Sequence, residues 1–280
     1  MRVIVSDKDQ PVLDRQLGAF SAVDKTDAND FIERLDEMHA LDVFRAYKKF
    51  TFDLMNIASG ARVADVGCGT GEDVSSLADL VGPSGQAIGL DLSSAMIAEA
   101  QKRHADKGNV SFLQASSEGL GLPDNELDAI RADRVLIHVQ NPEATLAEFI
   151  RVTRPGGRIV LSEPDMHGFW VASDDYGTTR LLVNEIANSC VMPYLPRDLW
   201  TMMRDHGLKD VRCSIQTLTS SDIKAVSKVL DLSLVVKMAV SGGLVSEERA
   251  AKWGDDLKVR AENDRFAAAL SIVVVSGTKA

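Results

Sequence analysis

This chain of 280 residues is poor in cysteine: it has three, Cys68, Cys190 and Cys213, far apart in the sequence. No CxxC pair occurs, so neither a disulfide framework nor a structural zinc site is indicated, and free thiols suit a reducing compartment. Long apolar runs are also lacking. None reaches the length of a membrane span: "LSLVVKMAV" is interrupted by Lys237, and the closing "AALSIVVVSG" is strand-sized. The opening "MRVIVSDKDQP" has no apolar stretch of the secretory type. Positive charge is scarce too. Thirty-one Lys and Arg stand against 41 Asp and Glu, a net charge of −10, and nucleic-acid binding needs clustered cations. Internal repeats, low-complexity tracts and a clean linker are all missing. The expectation is a soluble, cytoplasmic protein with no membrane or nucleic-acid partner, a monomer or homodimer, built as one large domain with inserts.

What the chain does have is a rhythm. Residues 28–58 repeat apolar side chains at three- and four-residue steps and read as helical. Strand and helix patterns then alternate. Strands are expected at 62–66, 86–93, 110–116, 127–133 and 158–165, with helices at 72–81, 94–108 and 142–157 between them. Near-continuous apolar strands in βα units imply a parallel sheet covered on both faces, and right-handed crossovers make it doubly wound. After Asp165 the rhythm breaks. Residues 166–195 show no β signal. A helix at 196–208, a strand at 210–219, helical stretches at 222–240 and 246–266, and a closing seventh strand complete the pattern.

The first strand runs into "ADVGCGTGEDVSSL" (64–77), with Gly67, Gly69 and Gly71 at alternate positions. A nicotinamide fingerprint would be G-x-G-x-x-G, whose third glycine falls here on Glu72. A phosphate-binding P-loop is excluded, since no GK[ST] follows. With Asp65 ahead of the loop and Glu72 behind it, the site fits a ligand with a cation or amine near the glycines and no pyrophosphate. Asp91 lies 20 residues past Gly71, at the tip of the next strand, where a carboxylate accepts ribose hydroxyls. The ligand is therefore read as a nucleoside with free 2′ and 3′ hydroxyls.

On "VADVGCGTG", "GLDLSSAMIAEA", "LPDNELDAI" and "RVTRPGGRIVLSEPD", the chain resembles the class I S-adenosylmethionine-dependent methyltransferases over about residues 40–215. The similarity is to the branch acting on small molecules such as quinone precursors, sterols and natural products of secondary metabolism. It implies an α/β, Rossmann-like, doubly wound seven-stranded sheet with an antiparallel last strand and helical lid insertions. Its expected parts are an N-terminal helical lid (1–58), a cofactor-binding core (59–165), a lid insertion (166–195), and a C-terminal part (196–280) with a helical insertion at 220–266. The implied cofactor is S-adenosylmethionine, with S-adenosylhomocysteine as product.

Carried over by position, Asp65, Gly67, Cys68, Gly69 and Gly71 would surround the methionine part, and Asp91 would hold the ribose. Leu92 and Met96 would pack on the adenine. Where the family commonly has Gly-Asp-Ala, this chain has Ala115, Ser116 and Ser117, so Ser116 would accept from the adenine amine without charge, beside Ser117. Tyr47, on the N-terminal helix, would reach the cofactor's carboxylate. Arg131 would offer its backbone carbonyl to the amino group.

Methyl transfer to a hydroxyl or acidic carbon also needs a base. His138, in "DRVLIHVQNP" just past the fourth strand, is the candidate, and Asp165, ending the fifth strand in "SEPD", would orient it or hold a substrate hydroxyl. His39, His104 and His206 read as solvated. No metal is expected, because the Asp-rich set of metal-dependent relatives is absent. The acceptor would be a small molecule with an O, N or C nucleophile. The same glycine loop also serves enzymes of this fold that keep the cofactor but cyclise or decarboxylate, which is the alternative reading. A nucleic-acid or protein methyltransferase is disfavoured by the acidic charge and by "RADR" (131–134) where an Asn-Pro-Pro-Tyr-type motif would stand.

Overall fold

The computed structural model describes residues 23–24 and 28–280. Most of the N-terminal 1–25 stretch thus lies outside the described residues, as does the corresponding part of the expected 1–58 lid. The helical pattern from residue 28 forms two helices, α1 (Ala28–Ala40) and α2 (Asp42–Met55). The chain turns at Leu41, whose extended backbone (φ −82°, ψ 127°) ends one helix and precedes the next.

The βα succession follows: β1 (Arg62–Val66), α3 (Glu72–Val81), β2 (Gln86–Asp91), α4 (Ser94–Arg103), β3 (Val110–Gln114), β4 (Leu127–Asp133), α5 (Pro142–Val152) and β5 (Thr153–Val171). Next come α6 (Tyr176–Asn188), α7 (Leu195–Asp205), β6 (Lys209–Ser220), α8 (Ile223–Leu230), α9 (Leu232–Ser241), α10 (Glu247–Glu262) and β7 (Ala268–Thr278). The seven strands make one sheet in the order β3-β2-β1-β4-β5-β7-β6. Strands β1 to β5 pair in parallel, while β7 runs antiparallel to both β5 and β6. The expected doubly wound sheet with an antiparallel last strand is the one observed.

Three expectations give way. The helix of 142–157 stops at Val152, where the Thr153 hydroxyl donates to the Phe149 carbonyl (2.7 Å) and Pro155, two residues on, bars further helix. The segment 166–195 does carry β structure: β5 continues to Val171, pairing Trp170 with Ala269 and Val171 with Ala268 after a register shift beyond Asp165. Its signal is hidden because four residues are displaced from the ladder before pairing resumes. The 222–240 helix is two helices, split at Asp231, which takes a left-handed backbone (φ 45°) and caps α9 through its side chain on the Leu234 N–H (3.2 Å).

The core lies on both faces of the sheet, with Val63, Ala64, Leu90, Ile130, Val160 and Leu161 all at 0 % exposure. At about 25 cal/mol per Å² of apolar surface removed from water, these central strands supply the main driving force for the fold. The carboxyl ends of β1, β2 and β4 converge on one edge. Helices α1, α6 and α8 lie across that edge, and residues of all three border a common cavity with the strand tips.

Candidate active site

The loop after β1 is shaped by its neighbours. Gly67, Gly69 and Gly71 all have positive φ (71°, 51° and 86°), a conformation that favours glycine. A Cβ on Gly67 would stand 2.3 Å from Val135 Cγ2, so the β4 tip crosses the loop with no room for a side chain. Asp91, at the end of β2, accepts the Gly69 N–H on one oxygen and the Ser93 N–H on the other, each at 2.9 Å. A carboxylate offers about four acceptor positions, so two remain for a diol. Burial pushes its carboxyl above the ordinary range, partly offset by those two N–H donors.

A cavity of about 390 Å³ opens here. One end is walled by Gly67, Gly69, Asp91, Leu92 and Met96, then Ser116 and Ser117. Leu92 is an apolar side chain 55 % exposed on the cavity wall, as suits packing on a ring. Met96 is buried and packs with Val23 and Phe31. Ser117 is hydrogen-bonded to Thr145 (3.0 Å), and the Ser116 hydroxyl accepts the Glu118 N–H (3.3 Å). Farther along, the wall is formed by Asp133, Arg134, Ile137 and His138 from the end of β4, and by Pro164 and Met166 from β5.

His138 is the last residue of a single 3-10 turn, Leu136–His138. That turn is held by Glu163, whose carboxylate accepts the Leu136 N–H (2.7 Å) and the Val135 N–H (3.0 Å). Burial, with the Arg134 charge adding to it, lowers the imidazole to about 4. The ring is thus neutral at neutral pH and can receive a proton. Glu163 itself is fully buried, and burial raises it to about 8 against those backbone donors.

Several expected site residues do not face the cavity. Asp65 is buried and pairs with Arg131 (2.8 Å). Arg131 sits in mid-β4 between β1 and β5, so its carbonyl belongs to the sheet and not to a ligand. Its guanidinium lies within 3.1 Å of Asp73 and of Asp133 as well, and 5.0 Å from the Phe52 ring centroid. Tyr47 is 2 % exposed and donates its hydroxyl to Asp133 (2.9 Å), standing behind the wall. Lys48 completes the group through Asp73 (2.9 Å). Burial alone would raise Asp73, but Lys48 and Arg131 outweigh it and hold that carboxyl well below the usual range. Cys68 is buried under the loop, its thiol pushed up by burial and by Asp91, and Gly71 is the N-cap of α3.

Asp165 does not meet His138. Its two carboxylate oxygens are taken by Arg197 of α7, which packs on β5, at 3.1 and 3.0 Å. His104 is not solvated either: it is 8 % exposed, within 3.2 Å of the Thr70 carbonyl, and beside Phe112. His39 is half-buried, 3.5 Å from Asp73, and His206 pairs loosely with Glu143 (3.4 Å). Unforeseen wall residues are Arg34, Leu35 and Met38 of α1, Asp133 and Arg134, and Ile186, Ser189 and Cys190 around the end of α6. The signal for Asp133 was available, since the last polar residue of a parallel strand faces the ligand edge. Among the described residues no His, Cys, Asp or Glu cluster suits a metal, and no helix is long and apolar enough to cross a membrane.

The donor set fits a nucleoside bearing a carboxylate: a free carboxylate edge on Asp91 for hydroxyls, Arg134 on the wall for a carboxylate, and an apolar slot for a base. The Asp133 carboxylate is already engaged by Tyr47, Ser162 and Arg131. A family model described as a methyltransferase domain matches residues 57–207. The chain belongs to the class I S-adenosylmethionine-dependent methyltransferases, and S-adenosylmethionine is their methyl donor. Similar proteins include an uncharacterized 37.1 kDa protein in transposon TN4556 of Streptomyces fradiae, 33 % identical over 88 % of this chain and 71 % of that one. The ubiquinone/menaquinone biosynthesis C-methyltransferase UbiE of Hahella chejuensis is 31 % identical, over 56 % of this chain and 63 % of its own length. In fold, the chain is similar to YcgJ from Bacillus subtilis, with a TM-score of 0.59 and 19 % identity, over 84 % of this chain and 98 % of that one.

Proposed function

We propose that this enzyme methylates a small, largely apolar acceptor at an oxygen or an acidic carbon, with His138 taking the proton. The observation that carries the reading is one cavity wall shared by the glycine loop, Asp91 and a neutral His138. When bound, S-adenosylmethionine supplies an electrophilic methyl group on a sulfonium. Asp91 binds the ribose diol with its two remaining acceptor positions. Leu92 and Met96 enclose the adenine, and Ser116 accepts from its amine. Arg134, on the same wall, would receive the carboxylate.

Most of the work of such a transfer is alignment. Helices α1, α6 and α8 cover the strand edge, hold the acceptor against the loop and exclude water. His138 removes the acceptor's proton, and its basicity suits an acidic phenol or enol better than an alcohol, because proton transfer works best near matched pKa values. An apolar acceptor is supported by Met38, Met166, Ile186, Leu230, Leu270 and Ile272 in the wall. The likeness to UbiE, named as a C-methyltransferase, supports carbon among the nucleophiles. A setting in secondary metabolism is supported by the resemblance to that branch, and a cytoplasmic one by the free thiols; the assembly is proposed as monomer or homodimer. The test is calorimetric titration with S-adenosylmethionine and S-adenosylhomocysteine, followed by product analysis. Micromolar binding lost in Asp91→Ala, with a methylated product, supports the reading. Turnover without S-adenosylhomocysteine release would favour a cyclase or decarboxylase.

A further inference from the structure

Arg34 lies on the cavity wall beside Leu35 and Met38 of α1 and Val229 and Leu230 of α8. One of its terminal nitrogens donates to the Val229 carbonyl (3.0 Å). A guanidinium carries five N–H donors, so most of its capacity is uncommitted. Among the described residues it forms no ion pair. The acids that act on it from a distance are Glu37 and Asp231. Glu37 is engaged by Lys228, and the Asp231 carboxylate caps α9 through Leu234.

Of the other cations at this edge, buried Lys48 has Asp73 and buried Arg131 has three aspartates, while half-buried Arg134 stands 3.5 Å from Asp133 and 3.1 Å from the Met38 sulfur. The cofactor brings a single carboxylate. Arg134 precedes Val135, the residue against Gly67, and so is the cation beside the methionine end. Arg34 is instead tied to α8, in the insertion between β6 and β7. A cation withdrawn from water without a counter-charge is costly, and an anionic ligand removes that cost.

Resting on the methyl-transfer reading, we propose that the acceptor is an apolar molecule bearing a carboxylate, bound by the Arg34 guanidinium. The planar fork of N–H donors matches a carboxylate. A phosphate or diphosphate would require further cations, and the remaining ones here are already paired.

The test uses the full chain saturated with S-adenosylhomocysteine. Calorimetry compares para-hydroxybenzoate, para-hydroxycinnamate and a para-hydroxyphenyl-terminated octanoate, each with its own methyl ester. In the wild type at least one acid binds roughly tenfold or more tighter than its ester, the size of a charge-assisted hydrogen bond. Arg34→Met abolishes that preference through the acid alone, and Arg34→Lys keeps part of it. Equal binding of acid and ester in every pair, no binding by any acid, or a preference that survives in Arg34→Met overturns the proposal. Weakened S-adenosylhomocysteine binding in Arg34→Met reassigns Arg34 to the cofactor. A lowered melting temperature of the loaded Arg34→Met protein makes the arginine structural, and either result overturns the proposal. A wild type that binds no S-adenosylhomocysteine sinks the methyl-transfer reading and this inference with it.

Discussion

At the glycine-loop end of the cavity, charged groups are matched inside the protein. Asp65, Asp73 and Asp133 stand against Arg131, Arg134 and Lys48, with Tyr47 donating to Asp133. At the end under α1 and α8, the wall is methionine, isoleucine, leucine and valine around Arg34, which donates to a backbone carbonyl. The first arrangement satisfies its charges without a ligand, and so presents Asp91 and the loop already in place. The second depends on what enters it. Preorganisation at the donor end and adaptability at the acceptor end is the division of labour expected where one ligand is shared by a large class and the other varies.

The matched end breaks most dramatically at its centre. Arg131→Met leaves three carboxylates facing one another in a buried space, and a loss of about 3–5 kcal/mol is expected, the usual result of removing one partner from a buried ionic group. Urea denaturation would show it as a lower midpoint, and an unchanged midpoint would mean that the network contributes little. Asp91→Ala comes next. It removes the diol acceptor and two loop hydrogen bonds, so S-adenosylhomocysteine affinity should fall roughly 100-fold or more by calorimetry, at about 1–3 kcal/mol for each charged hydrogen bond lost.

His138→Asn separates binding from chemistry. It should lower kcat/KM about 100- to 10,000-fold while leaving S-adenosylhomocysteine affinity unchanged, as removal of a general base does. In the wild type the imidazole is neutral above about 4, so kcat/KM should be flat from neutral pH down to near that value and fall below it. A rate that falls already between pH 7 and 6 would contradict that assignment.

Glu163 sharpens the comparison through stability. Its carboxyl is raised by burial to about 8 in the folded state, from an ordinary 4.5. Between those values the folded chain holds a proton that the unfolded chain has lost, so this contribution favours folding at low pH and fades as pH rises through about 8. Glu163→Gln keeps the acceptor for Val135 and Leu136 and removes the titration. Its unfolding free energy should therefore gain on the wild type as pH rises from 5 to 8.5, and parallel curves would refute the raised carboxyl. The smallest effect is expected of Tyr47→Phe. Losing one hydroxyl donor to Asp133 should cost about 1 kcal/mol in denaturant unfolding, with cofactor affinity little changed, because Tyr47 stands behind the wall.

Much of the parallel half was readable before the structure. The apolar runs of β1, β2 and β4 are short, buried on both sides and punctuated by glycine or an N-cap, so period and punctuation agree. Asp91 ends a strand, Met96 lies in the first turn of the following helix, and Leu92, Ser116, Ser117 and His138 lie in the segments just after strands; all reach the cavity. Asp65 and Arg131 were misread because both lie one or two residues short of their strand tips, where register makes them partners on adjacent strands. The clue was Arg131 itself: an arginine inside "LDAIRAD" is a buried charge and demands carboxylates nearby. The partner of Asp165 is hidden because Arg197 comes from α7, 32 residues on, and only the packing of that helix on β5 brings the two together.

By itself, the sequence determined the order of strands and helices, the close-approach loop at Gly67–Gly71, and a carboxylate at the next strand tip. These are local properties, set by side-chain periodicity and by backbone conformations that glycine favours. Only the tertiary structure decided which charges are paired. Arg131 takes Asp65, expected at the ligand, Arg197 takes the carboxylate expected at His138, and Arg34 reaches the cavity with no counter-ion among the described residues. Those outcomes depend on segments that meet across tens to hundreds of residues, where Coulomb energy and burial select partners that spacing along the chain does not encode.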